Sequence, residues 1–436
     1  MKIWYKEDDT LDRIILYLLL LNIFPIRWID YRGKAMVLIA ALIALDLIRY
    51  ASYYMKQSFS FWFLLFLIYP FLNYAVLGGS LTTLARNLYR IDRGMLLIFY
   101  FCVLLVVKEE LIEEFLKESV LLFNVFAVMN FAVLYRQIGG DFRLTAFRLG
   151  DITQYYKPDL MSGLFGLFGT PCLAFFSVFI LVYNVYYSGY YLKGVKRALV
   201  YAYDLMLAGF ILWASVRNDN KGIFIILILY LCILGFIFVS ARSYTKEPQT
   251  RWVRIAGIIV VLAVVTAVIG TLAYNNLELF RNVVDMMVRK VQEGTAGSSA
   301  EGGGERIGML LFMLEEPAKI PFGYGLGNYY SANQTALGFH HFGQSDFGTF
   351  LCLGGVLFML LIGVFLFSVF QSTAENAAFS LIVCVSYMLF AVYTQVFVNA
   401  QTLTISLLIF AVIIQVYRRE KKKVIQDEKD RYHYLP

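Results

Sequence analysis

The chain has 436 residues, 60% of them hydrophobic and 17% aromatic, with a mean hydropathy of +0.66 and a formal net charge of +7. Water-soluble domains hold about 45–50% apolar residues, so the composition excludes an ordinary soluble fold and predicts an all-α polytopic membrane protein. The positive charge does not argue for nucleic acid, because basic residues gather at the ends of apolar runs, as orientation signals do.

At about 20 apolar residues per crossing, the sequence predicts about twelve transmembrane helices. They fall near 11–29, 35–54, 59–79, 94–108, 115–138, 163–188, 195–214, 222–241, 253–274, 347–370, 376–398 and 402–417. The first reads as a retained span, since no small-residue cleavage site follows it. The chain then divides into nine spans over 1–274, a long outer segment at 275–346, three spans over 347–417, and a basic tail at 418–436. The tail sets the orientation. Arg418, Arg419, Lys421, Lys422 and Lys423 abut the last span, and such clusters stay in the cytoplasm. Counting back keeps Lys193, Lys196, Arg197, Arg242, Lys246, Arg251 and Arg254 inside and puts 275–346 outside. The same count puts a loop at 86–93, with Arg86, Arg90 and Arg93, on the outer side, together with Arg143, Arg148 and Lys157. Either a weak span is miscounted or the outer surface uses positive charge, as a protein handling an anionic headgroup would.

Several polar groups fall inside the expected spans: Asp46 with Arg49, Asn73, Asn124, Asn130, Arg136, Asp204, Gln395 and Asn399. Such groups are costly at membrane depth. For the amides the simplest reading is a hydrogen bond between helices. Asp46 and Arg49 are three apart and can pair on one helix face, whereas Asp204 has no obvious local partner. The five cysteines each lie in apolar runs without Cys-x-x-Cys spacing, and read as buried small hydrophobes.

The outer segment opens with a helical pattern over 277–293, whose apolar residues fall on one face, closed by Gly294. A flexible linker by composition follows at 295–304. A short helix carrying Arg306 comes next and ends at Pro317, which cannot continue it. Pro321 then opens the run PFGYGLG at 321–327. Gly323, Gly325 and Gly327, with Tyr324 among them, permit backbone conformations closed to other residues, and their amides can form a nest for an anionic oxygen. His340 and His341 follow, two of the three histidines in the chain. They fit a general base or a hydroxyl-holding pair, or simply a surface loop. No metal is expected, because adjacent histidines point apart and no carboxylate–histidine spacing accompanies them. Asp346, at the start of the tenth span, suits a base, a sugar partner or a helix N-cap. Arg217, at the end of the seventh span, and Arg306 both offer a fork suited to diphosphate; each could equally snorkel to the membrane interface.

An arginine followed by glycine and an apolar helix over 217–234, then Arg306 with the 321–327 run, then SDFGTFLCLGG at 345–355, stand in an informative order. That order resembles the bacterial O-antigen polymerase and ligase superfamily, over roughly residues 205–365. The resemblance implies a multi-span, GT-C-like glycosyltransferase without metal or cofactor. It would join oligosaccharide repeats carried on polyprenyl diphosphate into O-antigen, capsule or exopolysaccharide, on the outer face of the cytoplasmic membrane. Arg217 and Arg306 would neutralise the leaving diphosphate, and His341 or Asp346 would orient or deprotonate the acceptor hydroxyl. His340, Gly323, Tyr324, Gly325, Gly327, Gln344 and Ser345 would line the substrate. Membrane lipid, a flippase and a chain-length regulator are the implied partners. Ligases of this superfamily carry histidine and asparagine where Gln344, Ser345 and Asp346 stand here, which favours the polymerase branch. A ligase, or a flippase for lipid-linked glycan, is the alternative.

Overall fold

A computed structural model describes residues 9–23, 34–141, 161–165, 169–218, 220, 222–223, 226–228, 230–231, 233–235, 274–275, 281, 285, 303–333, 336–339 and 342–433. Among the described residues the chain is helical, with no strand. The main helices are α1 Thr10–Ile23, α2 Lys34–Arg49, α3 Ser58–Leu77, α4 Leu81–Val107, α5 Glu109–Glu118 and α6 Val120–Ile138. They continue with α7 Thr170–Tyr191, α8 Gly194–Arg217, α9 Gly303–Glu315, α10 Asp346–Ala374, α11 Ala377–Tyr393 and α12 Ala400–His433.

Six of these are long and apolar enough to cross a membrane: α3, α6, α7, α8, α10 and the Ala400–Lys423 part of α12. A helix suits that role because every backbone polar group is satisfied within it. The spans expected at 11–29, 35–54 and 376–398 correspond to the shorter helices α1, α2 with Ala51–Tyr54, and α11. Those expected at 222–241 and 253–274 lie largely outside the described residues, as does the amphipathic stretch 277–293.

Two helices organise the packing. α12 is buried along residues 400–417 against α1, α4 and α7, while α10 packs on α3, α4, α9 and α11. Outward, α3 and α8 show Phe61, Phe71, Leu205 and Met206, a surface suited to lipid rather than water. The basic tail continues α12 as helix. Arg418 pairs with Glu109 at 3.1 Å, and Arg419 pairs with Glu113 while stacking 4.6 Å from the Tyr190 ring centre.

Residues 86–93 are not a loop. They lie within α4, which runs unbroken from Leu81 to Val107. Four charged residues made the stretch read as a connection, but at helical spacing Arg86, Arg90 and Arg93 take one side and Leu84, Asn87 and Ile91 are buried on another. The polar groups inside helices divide by partner. Asn124 and Asn184 join α6 to α7, and Arg49 pairs with Asp46 at 2.6 Å, both as the sequence suggests. Asn130 instead accepts from the Leu164 amide, Arg136 is exposed at the end of α6, and Gln395 and Asn399 lie in the connection between α11 and α12.

Candidate functional site

The site begins with a break in α10. Gly355 has φ +72° and ψ −175°, so the helix cannot carry its hydrogen bonds past this residue. The glycine run at 321–327 satisfies the groups so released. The Tyr324 and Gly325 amides donate to the carbonyls of Cys352 (2.7 Å) and Leu353 (3.0 Å), and the Tyr69 hydroxyl reaches the Gly354 carbonyl at 2.5 Å. In return the Val356 and Leu357 amides donate to the carbonyls of Ile320 (2.8 Å) and Pro321 (3.3 Å). Non-helical backbone at membrane depth persists where protein buries and pairs it in this way. A side chain at Gly323 would lie 2.6 Å from the Cys352 carbonyl, and one at Gly355 would collide with the Pro321 carbonyl. Glycine is required at both.

This geometry corrects the expected anion nest. The Gly323 amide donates to Lys319 O at 2.7 Å, those of Tyr324 and Gly325 to α10, and that of Leu326 to Asn73 Oδ1 at 2.8 Å. Four successive amides are therefore committed to protein acceptors, and the turn serves as a structural plug. Asn73 also donates to the Phe322 carbonyl at 2.7 Å, so its partner is the turn rather than another helix. Asn87 on α4 holds the next stretch. It donates to Leu326 O (2.7 Å) and Tyr329 O (2.9 Å) and accepts from the Ser331 amide (2.9 Å).

Asn87 thereby brings Tyr330 to the arginine face of α4, where Arg86, Arg90 and Arg93 follow at one-turn spacing. Arg86 lies 6.0 Å from the Tyr330 ring centre. Arg93 donates to Val398 O at 3.0 Å and stacks 5.2 Å over Tyr89. Arg90, between them, lies beside Tyr330 and within electrostatic reach of Asp346, and its Nη1 is enclosed without a hydrogen-bond partner among the described residues.

Asp346 is buried, and its Oδ2 accepts from the amides of Phe397 (2.6 Å) and Val398 (3.2 Å). It does not cap its own helix. Ser345 does that, accepting from the Gly348 amide at 3.1 Å while donating to Ala391 O at 3.1 Å. Asp346 thus ties the start of α10 to the connection before α12, within electrostatic reach of Arg90. Gln344 is half-buried beside them. On the other side of α4, Asp92 has its Oδ1 enclosed and unpaired among the described residues, at a narrow crevice with Pro70, Leu326 and Phe358.

The remaining expected residues are dispersed. Tyr324 stacks on Phe312 of α9 with centroids 5.5 Å apart, and burial together with the nearby Glu316 pushes its phenol up to about 12. Arg217 is exposed at the end of α8, 5.0 Å over the Trp213 ring, and α8 packs on α6 and α7 rather than on the plug. The backbone of Arg306 lies in α9, which packs on α10; His340, His341 and the Arg306 side chain are outside the described residues. Among the described residues no three His, Cys, Asp or Glu are placed to hold a metal ion. No protein-family model and no curated protein matches the chain.

Proposed function

We propose that the chain is a polytopic glycosyltransferase that lengthens glycan carried on a polyprenyl diphosphate, with the arginine face of α4 as its anion site. The observation that carries this reading is the enclosed Nη1 of Arg90, unpaired among the described residues and within electrostatic reach of Asp346. An unpaired buried donor costs about 1–3 kcal/mol, and a phosphate oxygen is the partner a guanidinium fork binds best. Arg86 and Arg93, one turn to either side, provide charge for a second phosphate.

In the reaction the anomeric carbon–oxygen bond to the diphosphate breaks, and a bond to the acceptor hydroxyl oxygen forms. The diphosphate leaves with the bonding electrons, and the arginines stabilise that growing charge. The acceptor proton passes to a base on the α10 side, where Asp346 stands and His341 is close in sequence. Arg217, stacked on Trp213, becomes an anchor at the membrane interface rather than a diphosphate ligand. The order of motifs over 205–365 supports the superfamily, and Gln344, Ser345 and Asp346, where its ligases carry histidine and asparagine, favour the polymerase branch, with sugar repeats as both donor and acceptor.

The test is complementation of a deletion strain, reading lipid-linked glycan length. Arg90→Lys keeps the charge but loses the fork, and polymer is expected to fall about 10²–10³-fold, the effect of removing one oxyanion-stabilising donor. Single repeats should accumulate. Arg217→Lys should make polymer at the parental level. Parental output from Arg90→Lys removes the anion site from α4. Long unattached chains in the deletion strain would identify a ligase instead.

A further inference from the structure

A second polar site lies away from α4, between α6, α7 and α8. Asn124 and Asn184 exchange amide hydrogen bonds in both directions at 2.9 Å. The other Asn124 N–H donates to Val120 O at 2.9 Å, and the other Asn184 N–H donates to Asp204 Oδ1 at 2.8 Å. All four amide hydrogens are therefore used. Asp204 is only 7% exposed, and its Oδ2 is enclosed and meets no donor among the described residues. It stands ten residues into the 24-residue α8, near the middle of a crossing.

No cation on these helices offsets it. Arg217 is thirteen residues along α8, about 20 Å at 1.5 Å per residue. Arg197 is committed to the carbonyls of Ser188, Gly189 and Leu192, Lys196 is near the start of α8, and Arg136 is exposed at the end of α6. Of the titratable groups on α6, α7 and α8, Tyr203 is the described one in electrostatic contact with Asp204, and Tyr183 gives its hydroxyl to Leu116 O. A charged aspartate at a helix centre is costly in a membrane, and one neutral amide offsets little of that cost. A metal cation fits poorly. Hard cations take roughly six or more oxygens, and both amide oxygens are already accepting. A proton meets the need, because it removes the charge and makes Oδ2 a donor.

We propose that Asp204 is a proton-binding site within the membrane: a carboxylic acid that holds its proton among these helices and gives it up as the pH rises. The proposal is independent of the glycosyltransferase reading. Its consequence falls on α8, whose buried residues are only Asp204, Leu207, Ile211, Ala214 and Ser215. Loss of the proton leaves a bare anion in that sparse contact and weakens the seat of the helix on α7.

Infrared spectra of the full chain in lipid nanodiscs, for wild type and Asp204→Asn across a pH series, test this. A protonated-carboxyl carbonyl band is expected at mildly acidic pH in the wild type, absent from the variant and lost as the pH rises. A difference spectrum with only carboxylate bands at mildly acidic pH overturns the proposal, as does a carboxylate band that shifts on adding sodium. A second measurement needs no variant. Dicyclohexylcarbodiimide is apolar and reacts with the protonated acid: the O–H adds across one C=N bond, and the acyl group migrates to nitrogen with nothing leaving. Mass spectrometry should locate this N-acylurea on Asp204, with labelling that declines as pH rises. An unlabelled Asp204 at mildly acidic pH, or labelling indifferent to pH, refutes the assignment.

Discussion

Replacing Asn87 with leucine removes a side chain that does three things at once. Leu326 O, Tyr329 O and the Ser331 amide all lose their partner, while the volume at the site changes little. Leu326 and Ser331 are buried, and Tyr329 is half-buried. Taking about 1–3 kcal/mol for each of the two enclosed groups gives about 2–6 kcal/mol. The added apolar burial returns about 1–2 kcal/mol, so Asn87→Leu should destabilise by about 2.5 kcal/mol at the centre of a range of about 0–5 kcal/mol. Thermal unfolding in lipid nanodiscs measures the total, and limited proteolysis across 326–331 reads the local release. Because the same stretch carries Tyr330 to Arg86 and Arg90, the proposed function predicts that polymer output falls with it. An unchanged unfolding temperature together with an uncut 326–331 stretch would refute the view that Asn87 fastens this segment to α4.

Two further substitutions probe the frame. Gly355→Ala places a methyl group against the Pro321 carbonyl at φ +72°, a conformation costing about 1–3 kcal/mol for a non-glycine residue. It should reduce the yield of monodisperse protein and lower its unfolding temperature, whereas Gly363→Ala, with open space at its Cβ, should do neither; equal behaviour would refute the interlock. Tyr100→Phe removes a hydroxyl set between Asp46 Oδ2 (2.8 Å) and Asp12 Oδ1 (3.1 Å), and a loss of about 1–3 kcal/mol is expected in the same unfolding assay. A neutral result would mean that this hydroxyl does not join α1 and α2 through α4.

What could be read from sequence depended on how far apart the partners are. The Asp46–Arg49 pair and the stop at Pro317 involve neighbours, and both were legible from spacing alone. The plug was half legible. Its glycines announced an unusual backbone, but the acceptors for the Tyr324, Gly325 and Leu326 amides lie on α10 and α3, where no local pattern points. Ser345 and Asp346 exchanged roles for the same reason, since the Phe397 and Val398 amides that engage Asp346 come from 51 and 52 residues along the chain. The arginines of α4 were visible but misread. Charge density suggested a connection, while the spacing of 86, 90 and 93 carried the helical signal. Arg217 drew attention for its place beside a glycine and an apolar run, and nothing in that pattern revealed Trp213 as its neighbour in space.

The interlock at Gly355 also constrains the order in which the protein assembles. The plug is synthesised some thirty residues before the gap that receives it, and Tyr69 is made 285 residues before its acceptor at Gly354. A segment entering lipid with three bare carbonyls and two bare amides would lose several kcal/mol for each group. The tenth helix must therefore arrive either as a continuous helix or with the plug already attached. In the first case Gly355 leaves its helical conformation only when the plug docks, and the break forms as a late exchange of hydrogen bonds within a bundle that has already inserted.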